Sequence, residues 1–572
     1  LGEFSTPWRA PLLSRIAAKE TLEMSTPADT AFEAVEHGFL ADFLEFYPTT
    51  GMRLGLHLYD GRADDFSPGA LDAWLRTLGG WERRLATVDD RALSDDARLD
   101  AALMRQTIEQ ERFRWEVMRD HVRNPLSAGD LLDVTPYLKR DYAPLPERLR
   151  ALTGHLEDVP RAIETARRHL QDPLARPLVE TAKEVCSGYA SFYETVLPTY
   201  TAHLGDAGLR ARFETAAREA TDAIRGYLGF LDEAAPGTVE EFAIGPTIFA
   251  GMLRHGEMVD TPIAKIVDIG ERELAHLTDA LRETAARVDP HAAPAAVMAS
   301  LGQHHPSAET LIPETAAMLE DLRRFLVDRD IVSLPDDVRP IVAETPSFAR
   351  WAFAMMDTAG PFEEHATESY YYVSPPEPHW PAHEREEWLT KFDYATLKDV
   401  SVHEAYPGHF IHFMHVRRAP SMIRKVVGSY SFVEGWAHYA EEMMLDAGLD
   451  PTPQFRLAFL AEALVRQVRY LAAIGMHTGE MTVDGATEMF QTRAFMAHAP
   501  ARKEAVRGTF DPGYLNYTLG KFMMRRLRDD YRSERGAAFS LREFHDRLLA
   551  LGAPPLPLAR RALLQRDSGA VL

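Results

Sequence analysis

At 572 residues the chain is long enough for two to four domains, and its composition, 46% hydrophobic and 26% charged, is that of an ordinary globular protein. A formal net charge of −23 argues against nucleic-acid binding, which needs basic surface, and favours solubility and cationic substrates. No apolar run reaches the roughly 18 residues that a membrane-spanning helix requires.

Residues 1–23 begin without Met, and Met24-Ser25-Thr26-Pro27 is a more natural start, so 1–23 reads as vector or fusion sequence. No signal peptide is visible, which predicts a cytoplasmic location. Residues 66–232 read as successive amphipathic helices with breaks at Asn124-Pro125 and Asp172-Pro173. The single cysteine, Cys186, rules out an intrachain disulfide. It sits in a helical stretch with no activating partner, which predicts a buried small residue. Ala234-Ala235-Pro236-Gly237 marks a junction between an N-terminal helical region, 24–235, and a catalytic region, 236–572.

Thr261-Pro262 reads as a cap with proline in the first turn, followed by Ile263, Ile266, Val267, Leu274, Leu277 and Leu281 at helical spacing. The segment 331–380 differs. Ile331–Pro335 and Glu368–Val373 are β-branched and aromatic with proline nearby, and both are expected to be short strands. Tyr371 in the second is a candidate substrate contact, because an edge strand can hold an extended peptide by main-chain bonds. Hairpin packing is the alternative role for this tyrosine run.

The chemistry concentrates in His403-Glu404-Ala405-Tyr406-Pro407-Gly408-His409 and Glu434-Gly435-Trp436-Ala437-His438-Tyr439-Ala440-Glu441. Two histidines and a glutamate are the ligand set of a catalytic zinc ion that leaves one position open, and a free glutamate then serves as base. In the familiar H-E-x-x-H motif the histidines lie four apart on one helix face. Here they lie six apart, which on a regular helix leaves them about 120° apart. Convergence on one ion therefore requires a widened turn or a break near Tyr406-Pro407, where proline removes a hydrogen bond and Gly408 tolerates unusual dihedrals. Glu434 follows His409 by 25 residues, enough for a turn and a returning helix, and Glu434, His438 and Glu441 fall on one face of it. The expected assignment is His403, His409 and Glu434 as ligands and Glu404 as base. Glu441 is an alternative ligand or a partner that orients a histidine, and His438 plays a supporting part. His412 is a flanking residue. Downstream, Arg507 and Lys521 are candidate binders of a peptide carboxylate. Ser540-x-x-Glu543 is a capping box that opens the last long helix, which Gly552 stops.

These two motifs, together with Tyr517-Thr518-Leu519-Gly520-Lys521 and Phe544-His545-Asp546 leading to Gly552, resemble the bacterial family numbered 885 among the domains of unknown function, over roughly residues 24–572. That family is grouped with zinc metallopeptidases whose third ligand is glutamate. The resemblance therefore implies a mostly α, thimet oligopeptidase-like and carboxypeptidase Taq-like fold with a small β element beside the cleft. One departure is Pro512-Gly513-Tyr514, where the family usually shows Pro-Gly-Gln. The run Gly513–Tyr517 instead resembles the tyrosine-rich loop of thimet-type oligopeptidases, which implies an oxyanion-donor role for Tyr517 and, less directly, for Tyr514. The expected function is Zn2+-dependent hydrolysis of amide bonds in short peptides or peptide-like metabolites. The alternatives are a metal-dependent enzyme acting on a non-peptide small molecule and a non-catalytic binding protein on the same scaffold.

Overall fold

Polar caps set where the N-terminal helices begin. Thr26 and Asp29 form a capping box ahead of helix Pro27–Phe46, and Ser67, Ser94 and Asp206 cap Pro68–Leu85, Asp95–Arg112 and Ala207–Ala234. The computed structural model describes residues 26–202, 204–346, 353–564 and 571–572, so the expected fusion sequence at 1–23 lies outside the described residues. Both expected breaks occur. Asn124 caps a 3-10 segment, Pro125–Leu132, and Asp172-Pro173 separates helices Leu145–His169 and Arg176–Thr195.

Packing divides the N-terminal region in two. Most buried apolar residues from Leu132 to Leu231, with Met52, build a core of their own, whereas most from Phe32 to Trp115, with Ala175 and Leu178, share one continuous core with residues of the C-terminal half. Helix Ala207–Ala234 runs into a 3-10 turn, Ala235–Gly237. Cys186 is buried in the first of these cores, where burial pushes its thiol pKa up to about 11.

Helix Ile263–Val288 buries Ile266, Leu274, Leu277 and Leu281, as its spacing predicts. Thr261 does not cap it. Pro262 stands at the N-cap position with extended dihedrals and no side-chain cap bond is made. This helix lies against Pro453–His477, with the Tyr470 hydroxyl donating to the Ile266 carbonyl at 3.1 Å and Gln467 donating to the Gly270 carbonyl at 2.8 Å.

Three short strands form one sheet among the described residues: β1 (Ile341–Glu344), β2 (Ala354–Asp357) and β3 (Tyr370–Val373), in the order β1-β3-β2. β1 runs parallel to β3 and β2 antiparallel, with Met356 opposite Tyr371. The expected strand at Glu368–Val373 is therefore present as β3. The one at Ile331–Pro335 is not, because the C-terminal helix claims its polar groups: the Ile331 carbonyl accepts from His545 at 2.7 Å, and Ser333 donates its amide and hydroxyl to Asp546. Ser540 caps that helix, Leu541–Leu549, through the Glu543 amide. The Glu543 carboxylate turns instead to Tyr531 and Arg535. Gly552 follows the helix with φ +82°.

A close helix crossing joins Tyr430–Asp446 to Asn516–Arg535. A Cβ on Gly435 would lie 2.5 Å from the Gly520 Cα, and a Cβ on Gly520 would lie 1.9 Å from the Ser431 carbonyl oxygen. Two glycines thus let backbones meet where side chains would hold them apart. Gly520→Ala is expected to destabilise the protein by about 1–3 kcal/mol through overpacking. Gly80→Ala, in helix Pro68–Leu85 with open space around the added methyl, should stabilise it by about 0.4–1 kcal/mol. Thermal unfolding of the two variants beside wild type checks both signs.

Candidate metal centre

Asp393 caps helix Tyr394–Glu404 through the amides of Ala395 and Thr396. The helix stops at Glu404. Ala405 leaves helical geometry at φ −115°, ψ −73°, the Tyr406-Pro407 bond is cis, and a new helix starts at His409 and runs to Val416. The Gly408 amide donates back to the Val402 carbonyl at 2.9 Å, and a Cβ on Gly408 would lie 1.6 Å from the His403 carbonyl oxygen. Only glycine fits a chain folded this tightly on itself. The break expected from the six-residue spacing is thus present, and it brings the His403 and His409 rings to 4.9 Å between centroids at 87°.

The return helix, Tyr430–Asp446, completes the cluster. Ser429 caps it, and buried Glu257 anchors its start by accepting from the hydroxyls of Ser429 and Ser431 and the Ser431 amide. Trp436 Nε1 donates to the carbonyls of Pro407 at 2.9 Å and Gly408 at 3.3 Å, so the return helix satisfies the carbonyls that the break exposes.

Glu434 Oε2 lies 3.6 Å from His403 Nε2 and 3.5 Å from His409 Nε2, and ligand atoms of all three residues fall within 4.8 Å of one another. Glu434 Oε2 is buried without a hydrogen-bond partner. Zinc bound tetrahedrally at about 2.0–2.2 Å sets its donors about 3.3–3.6 Å apart, so this donor set fits the ion.

A carboxylate behind His403 fixes its orientation. Glu441 Oε1 accepts from His403 Nδ1 at 2.6 Å, which leaves Nε2 facing Glu434. Glu441 Oε2 accepts from His438 Nδ1 at 3.0 Å, and Arg466 lies 3.1 Å from Oε1. Burial opposes ionisation of Glu441, but Arg466, His438 and His403 together hold its pKa well below the carboxylate range. Burial likewise works to lower the pKa of His403, and the carboxylates of Glu434 and Glu441 outweigh it, raising the value to about 10. His438 is held neutral, near 3, by burial and by the Lys521 charge. Of the two carboxylates offered as the third ligand, Glu434 is the one beside both Nε2 atoms, and Glu441 stands behind the ring.

Glu404 is held by a contact of its own. Its Oε2 accepts from the Met356 amide of β2 at 2.9 Å, which ties the expected base to an edge strand. The Tyr517 ring stacks 6.3 Å from His403 at 18°, with its hydroxyl 3.5 Å from Arg507. Burial and then the Glu434 charge raise its pKa, which keeps the phenol protonated. Arg507 also pairs with Asp511 at 3.0 Å and donates to the Tyr430 hydroxyl.

Three expected site residues, and the flanking His412, are fully buried. Tyr514 is fully buried with its hydroxyl tucked where a Gly508 side chain would be, so it packs the core. Tyr371 is fully buried, and its hydroxyl meets Ser401 at 3.3 Å, so it joins β3 to the motif helix and offers no contact surface to a substrate. Lys521 is buried between Glu442 at 3.4 Å and Glu273 at 3.7 Å, so its charge is already met. His412 Nε2 donates to the Gly552 carbonyl at 3.1 Å, and burial holds its pKa near 3.

The sequence reading passed over Arg466 and Asp399. Arg466 is a charged residue on a helix that is otherwise apolar around it, Leu464-Val465-Arg466-Gln467-Val468. Asp399 lies one helical turn before His403, and neither of its oxygens has a hydrogen-bond partner. Burial and the Glu441 charge raise its pKa well above the usual value. Both carry the same signal: a charge at a position whose neighbours demand burial.

The family described as "Bacterial protein of unknown function (DUF885)" matches residues 48–563. A comparison with curated proteins finds no match. Among solved structures, a chain from Shewanella oneidensis described as a "putative lipoprotein of unknown function" superposes with a TM-score of 0.79 at 21% identity, over 93% of this chain and 99% of that one. A "putative lipoprotein" from Colwellia psychrerythraea gives 0.77 at 15%, over 94% and 99%. At these identities the likeness is one of fold.

Glu441→Gln keeps the shape behind His403 and removes the charge. Zinc affinity is expected to fall about 10–100-fold with the fold intact, as measured by competition with a chelator. Unchanged affinity would show that Glu441 does not tune the ligand.

Proposed function

Because the chain belongs to the DUF885 family of bacterial proteins of unknown function, its chemistry has to be derived from its own site, and we propose that it is a zinc-dependent hydrolase of amide bonds in short peptides or peptide-like metabolites. The observation that carries this reading is the unpartnered Glu434 Oε2 facing two histidine Nε2 atoms at 3.5 and 3.6 Å, with a further carboxylate, Glu404, on the residue next to a ligand. A pure metal store has no use for that extra carboxylate.

His403, His409 and Glu434 hold the ion. When bound, zinc supplies a Lewis acid and lowers the pKa of water from 15.7 to about 7. Glu404, steadied by the Met356 amide, takes the proton from the attacking water and passes it to the leaving amine. Tyr517, kept protonated, donates its hydroxyl to the oxygen on which negative charge develops. Arg507, about one-third exposed beside Tyr517, is placed to attract a substrate carboxylate. Glu434 and His409 are the more open side of the cluster, 18% and 11% exposed, against 6% for His403, so substrate approaches from their side.

No described helix is long and apolar enough to cross a membrane. The two similar structures carry the word lipoprotein in their descriptions, which supports a place at the bacterial envelope over the cytoplasmic one expected from the N-terminus.

Purified protein is expected to hold close to one zinc per chain, and His403→Ala or His409→Ala to lose it. Glu404→Gln should keep zinc and fold while hydrolysis of a short-peptide library falls about 10²-fold or more. Full zinc content in both histidine variants, or wild-type turnover in Glu404→Gln, would sink the reading. Tyr517→Phe should keep zinc and lower kcat by about 10–10³-fold, with elemental analysis and steady-state kinetics as the measurements.

A further inference from the structure

Glu404 is held from outside its own helix. The amide that it accepts belongs to Met356, in the edge strand β2, and that amide points off the sheet. Four residues make up β2, and such a strand has little hold of its own. The next residue, Asp357, is where a hold is supplied. Arg140 Nη2 donates to Asp357 Oδ1 at 2.7 Å and to the Asp357 carbonyl at 3.1 Å, and Arg140 Nη1 donates to the Glu368 carbonyl at 2.6 Å. One guanidinium therefore grips the end of β2 and the residue two before β3. Lys139 adds a cation 3.9 Å from Asp357. Arg140 follows the short helix Pro136–Lys139, whose Tyr137 and Leu138 belong to the separate core of the N-terminal half. Its side chain is only 13% exposed, so the pair is shielded from water and held more tightly than a surface ion pair.

We propose that Arg140 is a positioning residue for Glu404, acting through β2: the helical unit grips Asp357, and the Met356 amide one residue away sets where the Glu404 carboxylate stands. This rests on the reading of Glu404 as the base only for its effect on turnover. The grip itself is a matter of geometry. It makes the N-terminal helical unit, which supplies no ligand to the metal, a determinant of the reaction. A small displacement of a catalytic group is enough to matter, since a misplacement of about 1 Å can cost about 10²-fold.

Four single variants and one double test it: Arg140→Met, Arg140→Lys, Glu404→Ala and Met356→Pro, with Arg140→Met combined with Met356→Pro. Proline removes the amide hydrogen that Glu404 accepts, on the side of an edge strand where the ladder does not need it. Hydrogen exchange at the Met356 amide reads the grip without any substrate. Arg140→Met and Glu404→Ala are each expected to speed it about 10-fold or more, and Arg140→Lys to restore part of the protection. In turnover, Arg140→Met should lower kcat about 10-fold with KM within about 3-fold and zinc content unchanged, and Met356→Pro should do the same. If Arg140 acts through the Met356 amide, adding Arg140→Met to Met356→Pro should cost less than a further 2-fold or so. Unchanged Met356 exchange in Arg140→Met overturns the proposal, as do multiplicative losses in the double variant. A wild-type protein that cleaves nothing removes the hydrolase reading instead, and the exchange result then decides alone whether Arg140 sets the hold on Glu404.

Discussion

The break between Glu404 and His409 is the constraint on which the site depends. Six residues separate the histidines, and a straight helix would send them to different faces. The chain resolves this by ending one helix at Glu404, folding Gly408 onto the His403 carbonyl, and starting another helix at His409. A break of this kind exposes backbone carbonyls in a dry interior, where each unpaired group is costly. Trp436 meets two of them through a single indole N–H. The residue that repairs the break therefore sits two positions after Glu434, the carboxylate that faces both histidines. The geometry of the candidate cluster and backbone satisfaction are set by one helix face.

That helix is itself fixed from three directions. Glu257 pins its first turn, the Gly435–Gly520 crossing brings the Tyr517 helix against it, and Glu441 reaches back to His403. Glu441 carries the largest electrostatic load. A buried carboxylate with no partners would take up a proton, but this one faces two imidazoles and a guanidinium. Burial and the charge of Glu441 raise the pKa of Asp399 beside it, which disfavours a second negative charge in the same dry volume. The network thus keeps charge only where it orients His403.

Much of this could be read from residue types and spacing. The six-residue gap with Pro407 and Gly408 required a break, and the 25-residue gap to Glu434 required a returning helix. The face shared by Glu434, His438 and Glu441 is the face that meets His403. Other expectations failed for reasons that lie outside their own segments. Ile331–Pro335 has strand-like residues, yet His545 and Asp546, more than 200 positions away, take its polar groups. Lys521 and Tyr514 have the chemistry of binding residues and the burial of core ones. Their neighbours Glu273 and Gly508 are not visible from local pattern. The strand β2 left no readable signal, because Ala354–Asp357 lacks the aromatic and β-branched residues that mark its partner β3.

The sequence by itself determined the mostly helical character, the identity of the clustered histidines and carboxylates, and the need for an irregular turn between them. Helical periodicity and the stereochemistry of proline and glycine act within a few residues, so these follow from local order alone. Only the tertiary structure decided which carboxylate faces the Nε2 atoms of both histidines and which stands behind His403, and that Glu404 is held by a strand that Arg140 contacts. Those assignments depend on contacts between segments tens to hundreds of residues apart, whose distances are fixed by packing.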